Sequence, residues 1–220
     1  MTITYHGHSC FKLRGKTGSV VTDPYGDDVG FSLPSLSADL VTVSHDHHDH
    51  NQAHKIGGTA RRNNPFIINQ LGEYEVGGIS VFGVKSFHDD QQGVERGANS
   101  IFTIAIDGVR VCHLGDLGHE LTEEQVKQIG IIDVLLVPVG GIFTLNAKQA
   151  VAVTRALEPS FVIPMHYNTM EHNQEMFGQL QPVEDFLKEF GVDNVTKVDK
   201  LKIESDRLPE EIEVVVLEKT

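Results

Sequence analysis

Four of the twelve histidines in this 220-residue chain lie within residues 45–50. The surrounding segment, residues 44–50, has the sequence SHDHHDH, in which imidazoles and carboxylates follow one another closely. Imidazole nitrogens and carboxylate oxygens together are the donors that zinc, manganese and iron accept in proteins. This concentration of donors predicts that the segment binds metal.

Four apolar stretches that we predict to be strands each lead into a residue of a metal-binding type. Residues 40–43 lead to His45, residues 81–87 to His88, residues 109–114 to Asp116, and residues 161–165 to His166. Residues of different strands can meet where those strands end at one edge of a sheet, and ligand groups commonly cluster there. The pattern predicts a single shared site.

The spacing inside the histidine segment indicates more than one metal ion. His45 and His47 are two residues apart, so on an extended backbone their side chains point the same way and can converge on one cation. After a bend, Asp49 and His50 can face a second cation. Two cations ~3.5–4 Å apart are a known hydrolytic arrangement. We expect two divalent ions, zinc first, with manganese and iron as alternatives.

The remainder of the chain indicates a mixed α/β protein. The predicted strands include residues 2–5, 9–13 and 19–22 as a meander, and residues 79–87, 101–106, 109–114, 134–137 and 161–165 further on. The dipeptide Asp107-Gly108 is a strong hairpin signal. Capping-box patterns at Thr122 and Asn146 predict two helices, and a third follows Pro182. No linker-like stretch divides the chain, so we expect one domain over residues 1–220.

Charge and hydropathy exclude several classes of partner. The chain has 31 acidic and 18 basic residues, a formal net charge of -13, which repels polyanions such as nucleic acids. The longest uncharged stretch, residues 134–147, is shorter than the roughly 20 apolar residues of a membrane span. The first residues carry no secretory signal pattern. We expect a cytoplasmic protein with a small-molecule substrate and no nucleic-acid or membrane partner. Whether the chain associates with copies of itself is left open. The two cysteines are expected to be buried thiols.

The motif H-x-H-x-D-H, followed by a lone His, an Asp and a final His, resembles the metallo-β-lactamase superfamily. The resemblance covers residues 1 to about 170. It implies an α/β fold, the four-layer αββα sandwich. It also implies that one metal is held by His45, His47 and His88, the other by Asp49, His50 and His166, with Asp116 bridging them. Asp23 matches an Asp that supports the histidine loop from behind in this family.

Departures from other branches of the superfamily narrow the expected activity. Oxygen-reducing di-iron relatives carry Glu where this chain has His47, so hydrolysis is favoured over redox chemistry. One large branch of β-lactam-degrading relatives places Cys near the position of Asp116, so β-lactams are not the expected substrates. Residues 5–11 and 163–167 are most similar to the small stand-alone hydrolases grouped near ascorbate-6-phosphate lactonase. Because 54 residues follow His166, we expect no additional substrate domain of the kind that thioesterase relatives have.

These features predict a metal-dependent hydrolase in which a metal-bridging hydroxide attacks a small ester, lactone or amide. Asp49 is the predicted catalytic residue, which orients the hydroxide and accepts its proton. Two alternatives stay open. One is a phosphodiesterase for small molecules, which would use the same metals, and the other is a non-catalytic metal-binding scaffold.

Histidines outside the motif are predicted to have other roles. His48 and His54 are off the pattern and are not expected to bind metal. His113 lies three residues before Asp116 within a strand, and the alternation of side chains favours a buried structural role for it. For His8 the sequence leaves two roles equally open, a structural histidine or a partner of the metal ligands or substrate.

The polar segment that follows His88 is a candidate for substrate binding. Residues 89–99 contain Arg96 and directly follow a predicted ligand. We expect this segment to contact substrate. His119 and Tyr167 also follow predicted ligands closely, so that each either lines the pocket or packs in the core.

Overall fold

The structure is a computed structural model, and it describes residues 1–192, 195 and 197–220. The strands are β1 (Thr2–Gly7), β2 (Cys10–Arg14), β3 (Ser19–Thr22), β4 (Leu40–Thr42), β5 (Phe66–Ile68), β6 (Glu73–Val76), β7 (Ile79–Phe87), β8 (Ala98–Ile106), β9 (Val109–His113), β10 (Val134–Pro138), β11 (Phe161–Met165), β12 (Lys197–Val198), β13 (Leu201–Lys202), β14 (Glu213–Val214) and β15 (Val216–Leu217). The helices are α1 (Glu123–Ile129), α2 (Ala147–Leu157), α3 (Gln174–Phe177) and α4 (Val183–Phe190), and 3₁₀ turns lie at Asp27–Val29 and Ala53–Lys55.

The first sheet has the strand order β13-β1-β2-β3-β4-β5. Strands β1, β2 and β3 are antiparallel neighbours, which confirms the predicted meander. Strand β4 then runs parallel to β3 and β5. All three residues of β4 are buried, as expected for a strand with neighbours on both sides and layers on both faces. The chain leaves β4 directly into the histidine segment.

The second sheet has the order β14-β11-β10-β9-β8-β7-β6. Its hairpin at Asp107-Gly108 is confirmed, and both turn residues have positive φ, as a two-residue hairpin of this kind requires. Strand β8 begins at Ala98, three residues before the predicted start, because Ala98, Asn99 and Ser100 pair with the end of β7. Because Asn99 and Ser100 have polar side chains, this extension of β8 could not be recognised in the sequence.

Three parallel strands, β9, β10 and β11, lie side by side in the second sheet. Their connections contain helices, and the capping boxes predicted at Thr122 and Asn146 open α1 and α2. The third predicted helix, α4, begins directly after Pro182. Parallel strands joined through helices point their carboxyl ends to the same edge of the sheet. The ends of β9 and β11 therefore place Asp116 and His166 side by side.

The layers are an αββα sandwich. One core lies between the two sheets and includes Phe11 and Leu40 of the first and Phe102 and Ile163 of the second. A second core packs α1, α2 and α4 on the outer face of the second sheet, and a third covers the first sheet. The cover of the first sheet consists of the 3₁₀ turns, loops and the short helix α3.

The two cysteines, Cys10 and Cys112, are buried and free, as the composition predicted. Burial raises the pKa of the Cys112 thiol to about 12. Within the described part of the chain, no helix has the length and apolar character needed to cross a membrane.

Candidate metal centre

All seven predicted ligands lie at the end of the sandwich where β4, β7, β9 and β11 stop. His45, His47, Asp49 and His50 are in the loop after β4, His88 directly follows β7, Asp116 is in the turn after β9, and His166 directly follows β11. The first sheet thus supplies four of the side chains and the second supplies three. The structure brings these seven residues together from four separate stretches of backbone.

The first group of converging atoms belongs to His45, His47 and His88, whose nearest ligand atoms lie within 4.8 Å of one another. The Nε2 atom of His45 is 3.0 Å from Nδ1 of His47. Two nitrogens bound to one tetrahedral zinc at about 2.0–2.1 Å would be about 3.4 Å apart, which is close to this separation. His45 and His88 are buried, whereas His47 is partly exposed, so this group opens towards solvent.

The second group contains Asp49, His50 and His166, and it is more enclosed. Their ligand atoms also lie within 4.8 Å of one another, and His8 belongs to the same group. Asp49 Oδ2 is 3.5 Å from Nε2 of His50. His50 and His166 are both buried. The sequence left the role of His8 open, and the structure places its ring against this group.

Asp116 lies between the two groups. Its Oδ2 atom is 3.1 Å from Nε2 of His88 and 3.3 Å from Nε2 of both His50 and His166. The Nε2 atom of His45 is 4.0 Å away. One carboxylate oxygen is therefore near histidines of both groups, which is the position that a bridging ligand requires.

Asp23 orients two of these imidazoles from behind. Its carboxylate accepts hydrogen bonds from the backbone N–H of Ser44 (2.8 Å), the hydroxyl of Ser44 (2.5 Å) and Nδ1 of His50 (3.0 Å). Because the Ser44 hydroxyl donates to Asp23, its oxygen accepts from Nδ1 of His45 at 2.9 Å. Both His45 and His50 then carry a proton on Nδ1, so that Nε2 is the atom that each would offer to a metal ion.

Strained backbone surrounds the same region. Asp23, His8 and His166 all have φ between 37° and 55°, a region that residues other than glycine rarely adopt. Gly115, next to Asp116, also has a positive φ, and a Cβ atom there would lie 2.3 Å from Oδ1 of Asn99. Such strain persists only where the surrounding structure enforces it, and it is concentrated at functional sites.

The charges of the centre suit a cation. Burial alone would raise the pKa of Asp116, but the neighbouring His166 and His50 lower that pKa well below its usual value. Burial would likewise lower the pKa of His50, but Asp116 and Asp49 raise it well above the ordinary value for histidine. The carboxylates of Asp116 and Asp49 thus favour a positive charge at His50, next to the ligand atoms.

Unpartnered polar atoms provide an independent test of whether metal fits here. His50 Nε2 and Asp116 Oδ1 are buried, and neither has a hydrogen-bond partner in the structure. Buried polar atoms normally have partners, and a metal ion would be the partner of both. The set of imidazoles and carboxylates is also the one that zinc, manganese and iron accept. The residues present therefore fit divalent metal ions.

Three other histidines, His113, His48 and His54, lie outside the ligand groups. His113 is buried between the carbonyl of Ser9 (2.9 Å) and the N–H of Gly115 (3.1 Å), in line with the structural role expected for it. Exposed His48 contacts Asp28 at 2.8 Å, away from the ligand groups. His54 is exposed in a 3₁₀ turn.

His119 and Tyr167 have structural contacts as well. His119 accepts a hydrogen bond from the N–H of Phe87 at 3.3 Å and contacts the carbonyl of Glu120 at 2.8 Å. It therefore helps to hold the end of β7. Tyr167 is buried among the residues that pack under the helices. Burial raises the pKa of its phenol to about 12, so the side chain stays neutral.

The loop after His88 is organised by Asp89, which the sequence did not single out as an individual residue. Its carboxylate accepts four backbone hydrogen bonds, from Gln91, Gly93, Glu95 and Arg96, at 2.7–3.0 Å. Arg96 lies over the ring of Phe143 at 5.8 Å. That Arg96 contacts substrate stays a prediction. A carboxylate directly before a Gly-containing turn was the signal that could have identified Asp89.

Asn99 is another residue whose role the sequence did not reveal. The sequence places it at the end of the polar segment of residues 89–99, but it lies in β8 and is buried. Its amide donates to Ser86 (2.7 Å) and to the carbonyl of Leu114 (2.9 Å), and its carbonyl accepts from the N–H of Asp116 (3.0 Å). Asn99 therefore fixes the backbone of the turn that carries Asp116.

Comparisons with known proteins agree with this geometry. Residues 2–166 match the family described as "Beta-lactamase superfamily domain". A "UPF0173 metal-dependent hydrolase" from Archaeoglobus fulgidus is 32% identical over 198 residues, which cover 77% of this chain and 84% of the relative. A similar relative from Methanoculleus marisnigri is 32% identical over 192 residues, covering 77% of this chain and 82% of that protein.

Solved structures show the same relationship. A Thermotoga maritima protein of the metallo-β-lactamase superfamily has a TM-score of 0.80 and 40% identity, covering 98% of this chain and 97% of its own. An isothiocyanate hydrolase from Delia radicum gut bacteria has a TM-score of 0.66 at 13% identity, covering 100% of this chain and 97% of its own, a likeness of fold alone. The fold, the convergent histidines and these matches together make the chain a metal-dependent hydrolase of the metallo-β-lactamase superfamily.

Proposed function

We propose that the chain hydrolyses a small ester, lactone or amide with two divalent metal ions bound at this centre. The proposed ligands are His45, His47 and His88 for one ion, Asp49, His50 and His166 for the other, and Asp116 for both. The observation that carries the proposal is the position of Asp116 Oδ2, within 3.1–4.0 Å of histidine Nε2 atoms from both groups. A single ion would leave one of these groups without a function.

When bound, two divalent ions would supply a nucleophile derived from water at neutral pH and would stabilise developing negative charge. Asp49 is the residue that we assign to the proton of the attacking water. Burial would raise the pKa of Asp49, but His50 and His8 lower it, so the carboxylate is ionised and able to accept. One of its oxygens is near His50 and is also held by His8, so its orientation is fixed before substrate arrives.

The net charge of the protein supports a small substrate. A formal charge of -13 repels a polyanion over its whole length. A small molecule would meet mainly the local field of the metal centre. Arg96 is a cation on the loop that follows His88, and we propose that it binds an anionic group of the substrate. Its stacking on Phe143 would hold the guanidinium in place.

A substrate screen combined with elemental analysis tests the proposal. Protein loaded with zinc or manganese should contain two ions per chain and should turn over at least one member of a panel of lactones, esters and amides. An aryl phosphodiester belongs in the same panel, and preference for it would favour the phosphodiesterase alternative. No turnover of any compound by fully loaded protein would favour a scaffold. One ion per chain at saturation would contradict the binuclear centre.

Asp49→Ala tests the assigned residue, with metal content measured on the same sample. Activity should be lost even where both ions are retained at high metal concentration. Asp46→Ala is the matched control, because Asp46 is an exposed carboxylate in the same loop that bonds to Asn51. The control should keep its activity. Full activity in a metal-replete Asp49→Ala variant would refute the role of Asp49.

A further inference from the structure

The backbone of His8 is tied to the turn that carries a proposed ligand. His8 lies between β1 and β2, is fully buried and has a φ of 55°. Its carbonyl accepts the N–H of His166 at 2.8 Å and the hydroxyl of Tyr5 at 2.9 Å. Its ring lies 4.2 Å from that of His166 between centroids. The strained position therefore places the imidazole beside the second ligand group.

The contact with Asp49 determines where the proton of the His8 ring is. His8 Nε2 is 3.0 Å from Oδ2 of Asp49. An ionised carboxylate only accepts hydrogen bonds, so His8 Nε2 is the donor. Nδ1 then has a lone pair, and it is buried without a hydrogen-bond partner among the described residues. Nε2 of His8 thus has a hydrogen-bond partner, whereas Nδ1 of His8 lacks a donor.

His172 presents the complementary group. Its Nδ1 accepts the backbone N–H of Thr169 at 3.2 Å, so the ring proton is on Nε2. That Nε2 is also buried, and no residue in the described part of the chain is its hydrogen-bond partner. The centroids of the His8 and His172 rings are 5.6 Å apart. A donor without an acceptor therefore lies next to an acceptor without a donor.

We propose that one bridging water links His172 Nε2–H to His8 Nδ1 and completes a hydrogen-bond chain from Thr169 to Asp49. The two unpartnered nitrogens offer such a water one donor and one acceptor, and buried waters commonly satisfy polar groups of this kind. His8 and His172 are then positioning residues that act through Asp49. The inference rests on the proposed function only in so far as it assigns Asp49 to the metal centre.

Direct coordination of a metal by His8 is the competing role, and the hydrogen bonds oppose it. A coordinating Nε2 would leave the ring proton on Nδ1. The N–H groups at His8 Nδ1 and His172 Nε2 would then both be buried without an acceptor among the described residues.

Nitrogen NMR of protein labelled with ¹⁵N-histidine tests the tautomers directly. In the metal-free protein, His8 should be protonated at Nε2, and His172 Nε2–H should show a cross-peak to a bound water. His172→Phe should shift the His8 nitrogen signals, and the exposed control His54→Phe should not. A proton on Nδ1 of His8 would overturn the chain. The measurement needs no turnover, so an inactive protein would refute the proposed function and leave this inference standing.

Metal binding provides the second test. His8→Asn, chosen because Asn tolerates a positive φ, should weaken the second of two zinc ions by about 10–100-fold, as is typical when an outer partner of a ligand is lost. His172→Phe should weaken it by about 10-fold. His172→Gln, which restores a donor, should recover most of that loss, with His54→Phe unchanged. Equal affinity in His172→Phe and His172→Gln would contradict the proposal, provided that both have the wild-type circular dichroism spectrum.

Discussion

Carboxylates lie at both ends of the strands, and they have different partners. At the end where β4 stops, Asp116 faces the histidines of the metal centre. At the opposite end, Asp39 precedes β4 and accepts hydrogen bonds from Ser19 and Thr59, while Asp107 accepts from Lys16 and Thr17.

The difference lies in what remains unsatisfied. Near the metal centre, buried nitrogens and oxygens such as His50 Nε2 and Asp116 Oδ1 have no partner. At the opposite end, Asp39 and Asp107 each accept three hydrogen bonds that close turns of the first sheet. One end is thus arranged to bind a cation at a cost in stability, and the other stabilises the fold.

Asp116→Asn should have the largest effect. An amide is a neutral and weak metal ligand, so the proposed bridge between the two groups would be lost. We expect kcat/KM to fall by at least about 1000-fold, which corresponds to about 4 kcal/mol of transition-state stabilisation. The measurement is steady-state kinetics on the best substrate of the wild type, with zinc content determined in parallel.

The same substitution at the other end is the matched control. Asp39→Asn should keep its zinc content and its kcat/KM at pH 7, because the Asp39 carboxylate hydrogen-bonds to Ser19 and Thr59 at the end of β4 away from the metal centre. An equal loss of activity in both variants would remove the proposed division between the two ends.

Metal removal should reveal the cost in stability. Zinc at about 1000 times its dissociation constant stabilises a folded protein by about 4 kcal/mol. For a chain of this size that corresponds to a rise in Tm of about 8–16 °C over chelated protein. Differential scanning calorimetry should show the rise in wild type and in Asp39→Asn, and a much smaller one in Asp116→Asn. A full rise in Asp116→Asn would mean that this carboxylate does not hold the metal.

The metal ligands and the regular elements are the parts of the molecule that could be predicted from the sequence. Ligands such as His45 and His166 follow apolar strands, and their residue type reports their chemistry, so their convergence could be predicted. The strands and capped helices could also be predicted, because local periodicity and the caps at Thr122 and Asn146 specify them.

Contacts between distant segments could not be predicted in this way. Asn99 fixes the turn of Asp116 through β8, and His172 meets His8 from a loop more than 160 positions away in the chain. Neither residue has a neighbour in the sequence that indicates its partner. The start of β8 could not be predicted for a similar reason, because the pairing of Asn99 with Ser86 depends on the register of two strands.

Acid should reduce the contribution of Asp39 to stability. Burial would raise its pKa, but hydrogen bonds from Thr59 and Ser19 lower that pKa below its unfolded value of about 3.9. A lowered folded pKa adds stability above about pH 4, and this is lost as the pH falls through the folded pKa. Asp39→Asn should therefore cost about 2 kcal/mol at pH 7, and progressively less in urea unfolding at lower pH. A difference that stays constant from pH 7 to pH 3 would contradict this.

Asp107→Asn should have the smallest effect of this series. The hydrogen bonds from Thr17 and Lys16 lower the pKa of Asp107, but the side chain is half-exposed and water can replace them. Asn also suits its φ of 51° and the following glycine, which favours the hairpin turn. We expect a loss of under about 1 kcal/mol in urea unfolding at pH 7. A loss larger than that of Asp39→Asn would show that closure of the turn, rather than burial of the carboxylate, determines how strongly this end stabilises the fold.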